Sequence, residues 1–256
     1  MAKAKSTTKS AKTVEIHVEP LKRGSLALRI IGTTPLIQNR MSAKVKQMLL
    51  VGSRKKTSSE RLAIKHNPFD EYRDAIEHID SKNTAVGLRV VAVKAGMCTA
   101  AVDTAGVTKA GTQRLLFMPG DFFELYGVPK IRMDVTRSAD IGRTPDVRTR
   151  PIFEKWGAEV TIHYVIPQLS AQSVASLLVN AGMLCGVGDF RQEKGKGAFG
   201  SFRVLDAKSS DKEWTELVKS GGKKAQLAAI ENPEPFDRET EALLAFYQEE
   251  VNRRAA

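Results

Sequence analysis

The sequence predicts an α+β fold. Apolar residues that alternate with polar ones indicate strands, and this pattern begins near residues 26, 88, 114, 159 and 201. Between these runs, apolar residues recur at helical spacing. Strands and helices in this order predict an α+β sandwich of the ferredoxin type, with a basic hairpin excursion and a C-terminal helical extension.

The first strand is predicted to begin at Leu26 and to end just before Pro35. Proline holds the preceding residue in extended geometry and has no amide hydrogen to donate to a strand ladder. The next segment is helical, with Ser42 as a suitable N-cap. The inner face of this helix is predicted to consist of Val45, Met48 and Leu49. A turn over residues 67–70 leads into a short helix over 71–80.

The middle of the chain alternates between extended and packed segments. Residues 87–93 indicate a strand or its approach, and 94–102 a tightly packed helix of small residues. One or two short strands are predicted within 112–123. Residues 130–150 place Gly, Pro and Asp among cations, which predicts an extended hairpin or loop. The clean alternation over 156–166 predicts a strand. Its residues on one face are Val160, Ile162 and Tyr164.

The chain divides into three regions. Residues 1–24 form a basic arm that begins with small and polar residues, and we expect it to be disordered because it cannot offset the entropy of ordering. Residues 25–206 form the α+β core, in which Ser170 caps a helix that leads into the glycine-rich loop 186–200. Residues 207–256 form the helical extension. Its helices are predicted over 212–220, 223–231 and 237–254.

Composition favours a polyanionic partner. The 256 residues carry a formal net charge of +11, and nucleic acid fits this charge better than an anionic membrane surface does. No stretch approaches the roughly 18 uninterrupted apolar residues of a membrane-spanning helix, and we recognise no secretory signal. Cys98 and Cys185 lie among small apolar neighbours and are expected to be reduced core thiols. We therefore expect a cytoplasmic protein without a membrane partner, a cofactor or a metal.

The sequence contains two cationic tracts, the first over residues 39–65 and the second over residues 130–150. These tracts and the glycine-rich loop supply most of the residues predicted to bind nucleic acid. Dense positive charge gains affinity from counterion release, so binding is expected to weaken with salt. Outside the loop, the predicted residues are Arg40, Lys44, Arg54, Lys55, Lys56, Lys94, Arg132, Arg137, Arg143 and Arg148. The first tract is alternatively a solvated surface loop. In the second, several arginines alternatively satisfy only the local carboxylates Asp134, Asp140 and Asp146.

The glycine-rich loop combines three features. Its glycines tolerate positive backbone torsions and let another molecule approach the main-chain amides. Its cations can meet phosphates, and its interleaved rings can stack on unpaired bases. The predicted loop residues are Phe190, Arg191, Lys194, Gly195, Lys196, Gly197, Phe199 and Gly200. The alternative is a connector whose phenylalanines belong to the core. Nucleotide-cofactor fingerprints do not fit, because the loop precedes a strand and no G-x-x-x-x-G-K-[ST] motif occurs.

Three stretches carry a family resemblance. Gly32-Thr-Thr-Pro-Leu closes the first strand, and Val91-Ala-Val-Lys-Ala-Gly-Met-Cys-Thr-Ala-Ala opens the small-residue helix. Gly186-Val-Gly-Asp begins the loop, which ends in Gly197-Ala-Phe-Gly-Ser-Phe. In this order, over roughly residues 25–205, they resemble the repeat-associated mysterious proteins, a superfamily that includes the backbone subunits of CRISPR effector complexes. More loosely, the chain looks like uncharacterised proteins of tailed phages.

The resemblance implies a ferredoxin-like core that binds a single strand along its surface, a basic excursion that clasps the strand, and subunits that stack head to tail. It also implies that Lys94 lies near the backbone of the bound strand, and that Gly195, Gly197 and Gly200 match the glycine-loop positions of the superfamily. The loop aspartate by which some members cut RNA, and a histidine pair that processes guides, cannot be placed in this sequence. The resemblance therefore favours binding over cleavage.

The leading hypothesis is a non-enzymatic protein that coats single-stranded nucleic acid cooperatively, as a homo-oligomer or filament. The likeness to phage proteins favours single-stranded DNA, in replication or recombination within the host cytoplasm. The alternatives are a guide-RNA-binding backbone subunit of a CRISPR-like complex and a structural or assembly protein. A nuclease would need paired metal-binding carboxylates. The available acids, which fall in no motif, are Asp103, Asp121, Asp134, Asp140 and Asp189.

Overall fold

A computed structural model describes residues 20–52, 64–104, 106–137, 145–194, 197–208 and 210–255. The strands are β1 (Lys22–Gly32), β2 (Leu36–Ile37), β3 (Gly87–Arg89), β4 (Leu116–Phe117), β5 (Phe122–Tyr126), β6 (Pro129–Arg137), β7 (Pro145–Phe153), β8 (Gly157–Ile166) and β9 (Phe202–Asp206). The α-helices are α1 (Ala43–Val51), α2 (Pro68–Ala75), α3 (Val90–Ala100), α4 (Lys109–Leu115), α5 (Ala171–Asn180), α6 (Lys212–Ser220), α7 (Lys223–Glu231) and α8 (Arg238–Ala255). The predicted α+β class is confirmed.

The main sheet is antiparallel, with the strand order β3-β5-β8-β1-β9, and β4 pairs with β8 beside β5. The long β1–β8 ladder runs from Lys22 opposite Ile166 to Ile31 opposite Gly157. Side chains alternate along both strands, and the inward set is buried, including the predicted Val160, Ile162 and Tyr164. Helices α3 and α5 pack over this inward face and complete the main hydrophobic core.

A second sheet has the order β2-β7-β6. Strands β6 and β7 form the hairpin predicted for residues 130–150, in a register that runs from Pro129 opposite Phe153 to Arg137 opposite Pro145. Strand β2 pairs with β7 through Leu36 and Ile37. The hairpin is therefore attached to the segment that follows β1. This attachment holds the hairpin beside the chain that leads into α1.

Five predictions about local structure are corrected. Strand β1 begins at Lys22, before the predicted Leu26, and the helix predicted over 71–80 spans Pro68–Ala75, with Asn67 as its cap. The strand after Gly87 ends at Arg89, and the following helix begins at Val90, four residues earlier than expected. Residues 109–115 are helical because the side chain of Thr108 caps the backbone N–H of Gly111. Helix α1 forms with Ser42 as its cap, but the residues predicted to face inward are exposed. Helical spacing identified the helix without showing whether another element covers it. The exposed residues are Val45, Met48 and Leu49.

The C-terminal helices occur where the sequence predicts them, and they are joined to the core by buried polar contacts. The Oε1 atom of Gln226 accepts hydrogen bonds from the backbone of Ala85 and Val86, at 2.7 and 3.2 Å. Its Nε2 atom donates to the carbonyl oxygens of Leu125 and Gly127, at 2.7 and 3.0 Å. Helix α7 is thereby fixed against the edge of the main sheet. Among the residues that the structure describes, no helix is long and apolar enough to cross a bilayer.

Candidate nucleic-acid interface

The glycine-rich loop folds tightly against its own chain. Gly188 and Gly200 have φ angles of 85° and 74°, in the region that favours glycine. A Cβ atom at Gly200 would overlap the carbonyl oxygen of Val187, and one at Gly197 would overlap that of Phe190. These glycines are therefore required by close approaches within the loop itself.

Several amides in the described part of the loop already donate to other atoms of the protein. The N–H groups of Asp189 and Gly200 donate to the carbonyl oxygens of Ile37 and Pro35, both at 2.8 Å. The N–H of Val187 donates to Gly200 at 2.9 Å. The expectation that these amides are free for a ligand is wrong. The loop instead attaches the start of β9 to the link between β1 and β2.

Arg150 is the polar centre of this region. It is 2% exposed, and its Nη1 and Nη2 atoms donate to Oδ2 of Asp189 and Oδ2 of Asp134, each at 2.7 Å. Asn39 also donates to Asp189, at 2.9 Å. Burial alone would raise the pKa of Asp189, but the hydrogen bond and charge of Arg150 outweigh that effect and hold the pKa below its usual value. One side chain thus joins the hairpin to the glycine-rich loop.

Two aromatic rings of the loop pack on arginines of the hairpin. The guanidinium carbon of Arg150 lies 4.5 Å from the ring centroid of Phe190, a residue that is 39% exposed and has a φ of 51°. A positive φ is unusual for a side chain of this size and occurs often at functional sites. Arg132 lies 5.1 Å from the ring centroid of Phe199 and 5.4 Å from that of Phe236. The rings are therefore held in place by cation–π contacts.

A second set of contacts joins the first cationic tract to the hairpin. His66 places Nε2 3.0 Å from Oδ1 of Asp146 and Nδ1 2.5 Å from Oε1 of Glu71. Lys65 also forms an ion pair with Asp146. The hydrogen bond from Lys65 lowers the pKa of Asp146; burial opposes this shift, and the contact with His66 adds to it. The segment that follows residues 53–63 in the sequence is thereby attached to the start of β7.

Two clefts lie between these attachments. The loop cleft, of about 300 Å³, is lined by Arg89, Glu77, Gly188, Asp189 and Arg191 among others. The hairpin cleft, of about 470 Å³, is lined by Arg40, Ser42, His66, Arg148 and Arg150 among others. Asn39 lines both, so the clefts adjoin and together form what we call the groove.

Every carboxylate that lines the groove has a partner among arginine, lysine or histidine side chains. Glu77 accepts two hydrogen bonds from Arg89, at 2.5 and 3.1 Å, and lies 4.0 Å from Nε of Arg40. Asp189 is paired with Arg150, and Glu71 and Asp146 with His66. Arg148 is exposed and forms no ion pair with any other described residue. Arg148 also lines the hairpin cleft, directly opposite Asp134 in the ladder between β6 and β7.

The structure brings only part of the predicted set together. Arg40, Arg148 and Arg191 line the groove. Arg132 and Phe199 pack on each other, and Arg132 also pairs with Asp134 at 2.9 Å. The alternative that arginines of the hairpin satisfy local carboxylates is thus correct for Arg132. The described predicted residues that line neither cleft are Lys94, Arg132, Arg137, Phe190, Lys194, Gly197, Phe199 and Gly200.

Several predicted residues lie outside the described ranges. These are Arg54, Lys55, Lys56, Arg143, Gly195 and Lys196. Lys44 belongs to α1, but its side chain is not among those described. Lys94 occupies the second turn of α3 rather than its start, because the helix begins at Val90.

Sequence reasoning missed four side chains that shape the groove. Asn39, Gln38, Arg89 and Arg150 are brought together by pairing between segments far apart in the chain. Arg150 directly precedes the apolar end of β7 in the sequence, and this position only weakly predicts that its side chain is buried. Within the described ranges, no three side chains of His, Cys, Asp or Glu come together as metal ligands. Asp134 and Asp189, considered as nuclease carboxylates, both pair with Arg150.

Comparison with protein-family models gives no match for this chain, and comparison with curated proteins gives no significant match.

Proposed function

We propose that this chain is a non-enzymatic protein that binds single-stranded nucleic acid in the groove, with DNA favoured over RNA. One observation carries the proposal. Three segments chosen from the sequence for their charge converge at the groove: His66 joins the first tract to the hairpin at Asp146, and Arg150 joins the hairpin to the loop at Asp189. Arginines from distant parts of the chain therefore meet at one concave surface, where they lie among four carboxylates.

The character of the groove supports a single strand as the ligand. Arg40 and Arg148 can contact phosphates, since arginine presents a planar fork of donors to them. The ring of Phe190, which is 39% exposed, packs on Arg150 where the loop meets the hairpin. An aromatic ring offers its face only to a base that is unstacked from its neighbours, and such stacking tolerates any sequence. Binding of this kind needs no base-specific contacts.

The strand order supports a ferredoxin-like core. If β1, β5, β8 and β9 are the four core strands, α3 and α5 are the two crossover helices, and the sheet order β9-β1-β8-β5 is antiparallel throughout. That arrangement is a split βαβ sandwich with the hairpin inserted between β5 and β8. It is compatible with the resemblance to the repeat-associated mysterious proteins. A role in phage-type replication or recombination is supported by the sequence likeness alone.

Assembly into a homo-oligomer or filament is part of the proposal. Helix α1 ends in a run of apolar residues, Leu49-Leu-Val51, whose central member is 86% exposed. Consecutive exposed apolar side chains are unfavourable on an isolated surface and common at contacts between proteins. Because α1 begins at the rim of the hairpin cleft, a neighbouring copy that covers it would lie next to the bound strand.

Fluorescence anisotropy with labelled oligonucleotides tests the proposed function. Wild-type protein is titrated against single-stranded and double-stranded DNA, and against single-stranded RNA, at low and high salt. Preference for the single strand and a steep loss of affinity with salt are expected. Absence of binding, or binding indifferent to salt, would refute the proposal. Nucleic acid of one discrete length that co-purifies with the protein would favour a guide-RNA-binding subunit instead.

A further inference from the structure

The main sheet has an outer face, opposite α3 and α5, that is only half covered. At one end of this face, Ile31 and Tyr126 pack against Trp214 and Leu217 of α6. At the other end Ser25 of β1 is exposed, and Phe117 of β4 is 50% exposed. Phe117 lies on a two-residue strand that pairs with β8 alone, so its half-exposed ring stands at an edge of the sheet rather than in a loop.

The exposed end carries an ordered row of side chains. Phe117 stands opposite His163, and His163 stands opposite Ser25, so the three share one face across β4, β8 and β1. The rings of Phe117 and His163 are stacked, with centroids 6.0 Å apart and planes inclined by 20°. The guanidinium carbon of Arg23 lies 5.3 Å from the centroid of Phe117. A cation and two stacked rings are therefore held together on rigid strands.

The surroundings of this row favour an anionic ligand with flat groups. The neighbouring positions on the same face of β1 and β8 are Ala27, Thr161 and Val165, so none of these described positions carries a carboxylate. One half-exposed ring with small neighbours offers little apolar area to a protein partner. An unpaired base can stack on such a ring, and sheets that display aromatic side chains to successive bases are a recurrent way of holding single strands.

We propose that Arg23, Phe117 and His163, which we call the sheet platform, form a second contact surface for single-stranded nucleic acid. A base stacks on Phe117, and Arg23 contacts an adjoining phosphate. His163 stacks against the ring of Phe117 and holds it in place. This inference rests on the proposed function for the class of ligand, but its residues are separate from those of the groove.

The test compares four proteins by anisotropy with a labelled oligothymidylate. They are the wild type, Phe117→Ala, Phe246→Ala as a control at another exposed ring, and Arg148→Glu in the groove. Loss of one stacked base should weaken binding roughly 5- to 150-fold for Phe117→Ala. Phe246→Ala should bind as the wild type does. Circular dichroism at rising temperature checks that both alanine variants stay folded, as expected for exposed positions. Photo-crosslinking of an iodouracil-containing oligonucleotide should label the peptide that contains Phe117.

The outcomes separate this inference from the proposed function. If Phe117→Ala binds as tightly as the wild type while Arg148→Glu binds weakly, the sheet platform is refuted and the groove is retained. If the wild type itself does not bind, the proposed function fails. If Phe117→Ala changes the sedimentation of the protein alone and leaves its affinity for DNA unchanged, the face is a protein contact and the platform is refuted.

Discussion

Nη1 of Arg150 donates a 2.7 Å hydrogen bond to Oδ2 of Asp189, and this contact joins the tip of the glycine-rich loop to the basic hairpin. The two residues are separated by β8, α5 and the turns between them. Arg150 lines the hairpin cleft and Asp189 the loop cleft, so their pair lies where the two clefts adjoin, and the ring of Phe190 packs on the guanidinium of Arg150. The shape of the proposed binding surface therefore depends on an ion pair whose arginine is buried and whose carboxylate is partly exposed.

Replacing Arg150 should destabilise the protein more than it changes the charge of the groove. Arg150→Met leaves Asp134 and Asp189 without their shared partner. We expect the free energy of unfolding to fall by about 2–3 kcal/mol, less than for a fully buried pair because both carboxylates are partly exposed. Urea denaturation measures this. Arg148→Met, two residues along the same strand but exposed, should change stability by about 0.5 kcal/mol or less. Equal effects for the two variants would contradict the assigned role of Arg150.

The contribution of Asp189 should depend on pH. Its pKa is lower in the folded protein than in the unfolded chain, where it is about 3.9. Its contribution to stability is therefore complete above that value and is lost as the pH falls through the folded-state pKa. Asp189→Asn lacks the titrating group. The difference in unfolding free energy between wild type and this variant should be constant near neutral pH and should shrink below about pH 4. A difference that grows on acidification would show that the pKa shift has the opposite sign.

The glycine at position 200 should be intolerant of a side chain for two separable reasons. Gly200 and Gly120 have φ angles of 74° and 76°, but only at Gly200 would a Cβ atom overlap the backbone, at Val187. Gly120→Ala should cost about 1 kcal/mol for the left-handed torsion alone. Gly200→Ala should cost about 3 kcal/mol or more, because the overlap is added. Thermal unfolding compares the two, and similar losses would mean that the loop relaxes around the new atom.

The C-terminal helices should depend strongly on one amide side chain. Gln226→Leu leaves buried donors of Ala85 and Val86, and acceptors of Leu125 and Gly127, without a partner. We expect a loss of about 2–4 kcal/mol in the free energy of unfolding. Gln248→Leu, on an exposed face of α8, provides the matched control and should be nearly neutral. A neutral Gln226→Leu would indicate that α7 is held by apolar packing alone.

Features set by short-range chemistry could be predicted from the sequence. The caps at Ser42 and Ser170, the alternation of β8 and the three C-terminal helices depend on neighbours within a few residues. The hairpin was also recognisable, because Gly, Pro and Asp mark its excursion. The exposure of α1 was not, since a helical repeat of apolar residues looks the same whether or not another element covers it.

The candidate site was predictable only in part, because its geometry depends on pairing between distant segments. Arg40 and Arg148 were chosen for their charge, and both line the groove. The burial of Arg150, by contrast, follows from the ladder between β6 and β7 and from the docking of Asp189. The glycines illustrate the same limit. The number of glycines led to the prediction that a ligand could approach the backbone of the loop. In the structure, Gly197 and Gly200 instead allow close contacts within the chain.

The most direct test of the central proposal compares Arg148→Glu with Lys224→Glu. Both variants change the net charge equally, but Arg148 lines the hairpin cleft whereas Lys224 is exposed on α7 and lines neither cleft. Affinity for a labelled single strand is measured by anisotropy over a range of salt concentrations. If the groove holds the strand, Arg148→Glu should weaken binding at low salt. The slope of log affinity against log salt concentration should also become shallower, by about one released ion or more. Lys224→Glu should bind nearly as the wild type does. Equal losses in the two variants, or none in Arg148→Glu, would contradict binding in the groove.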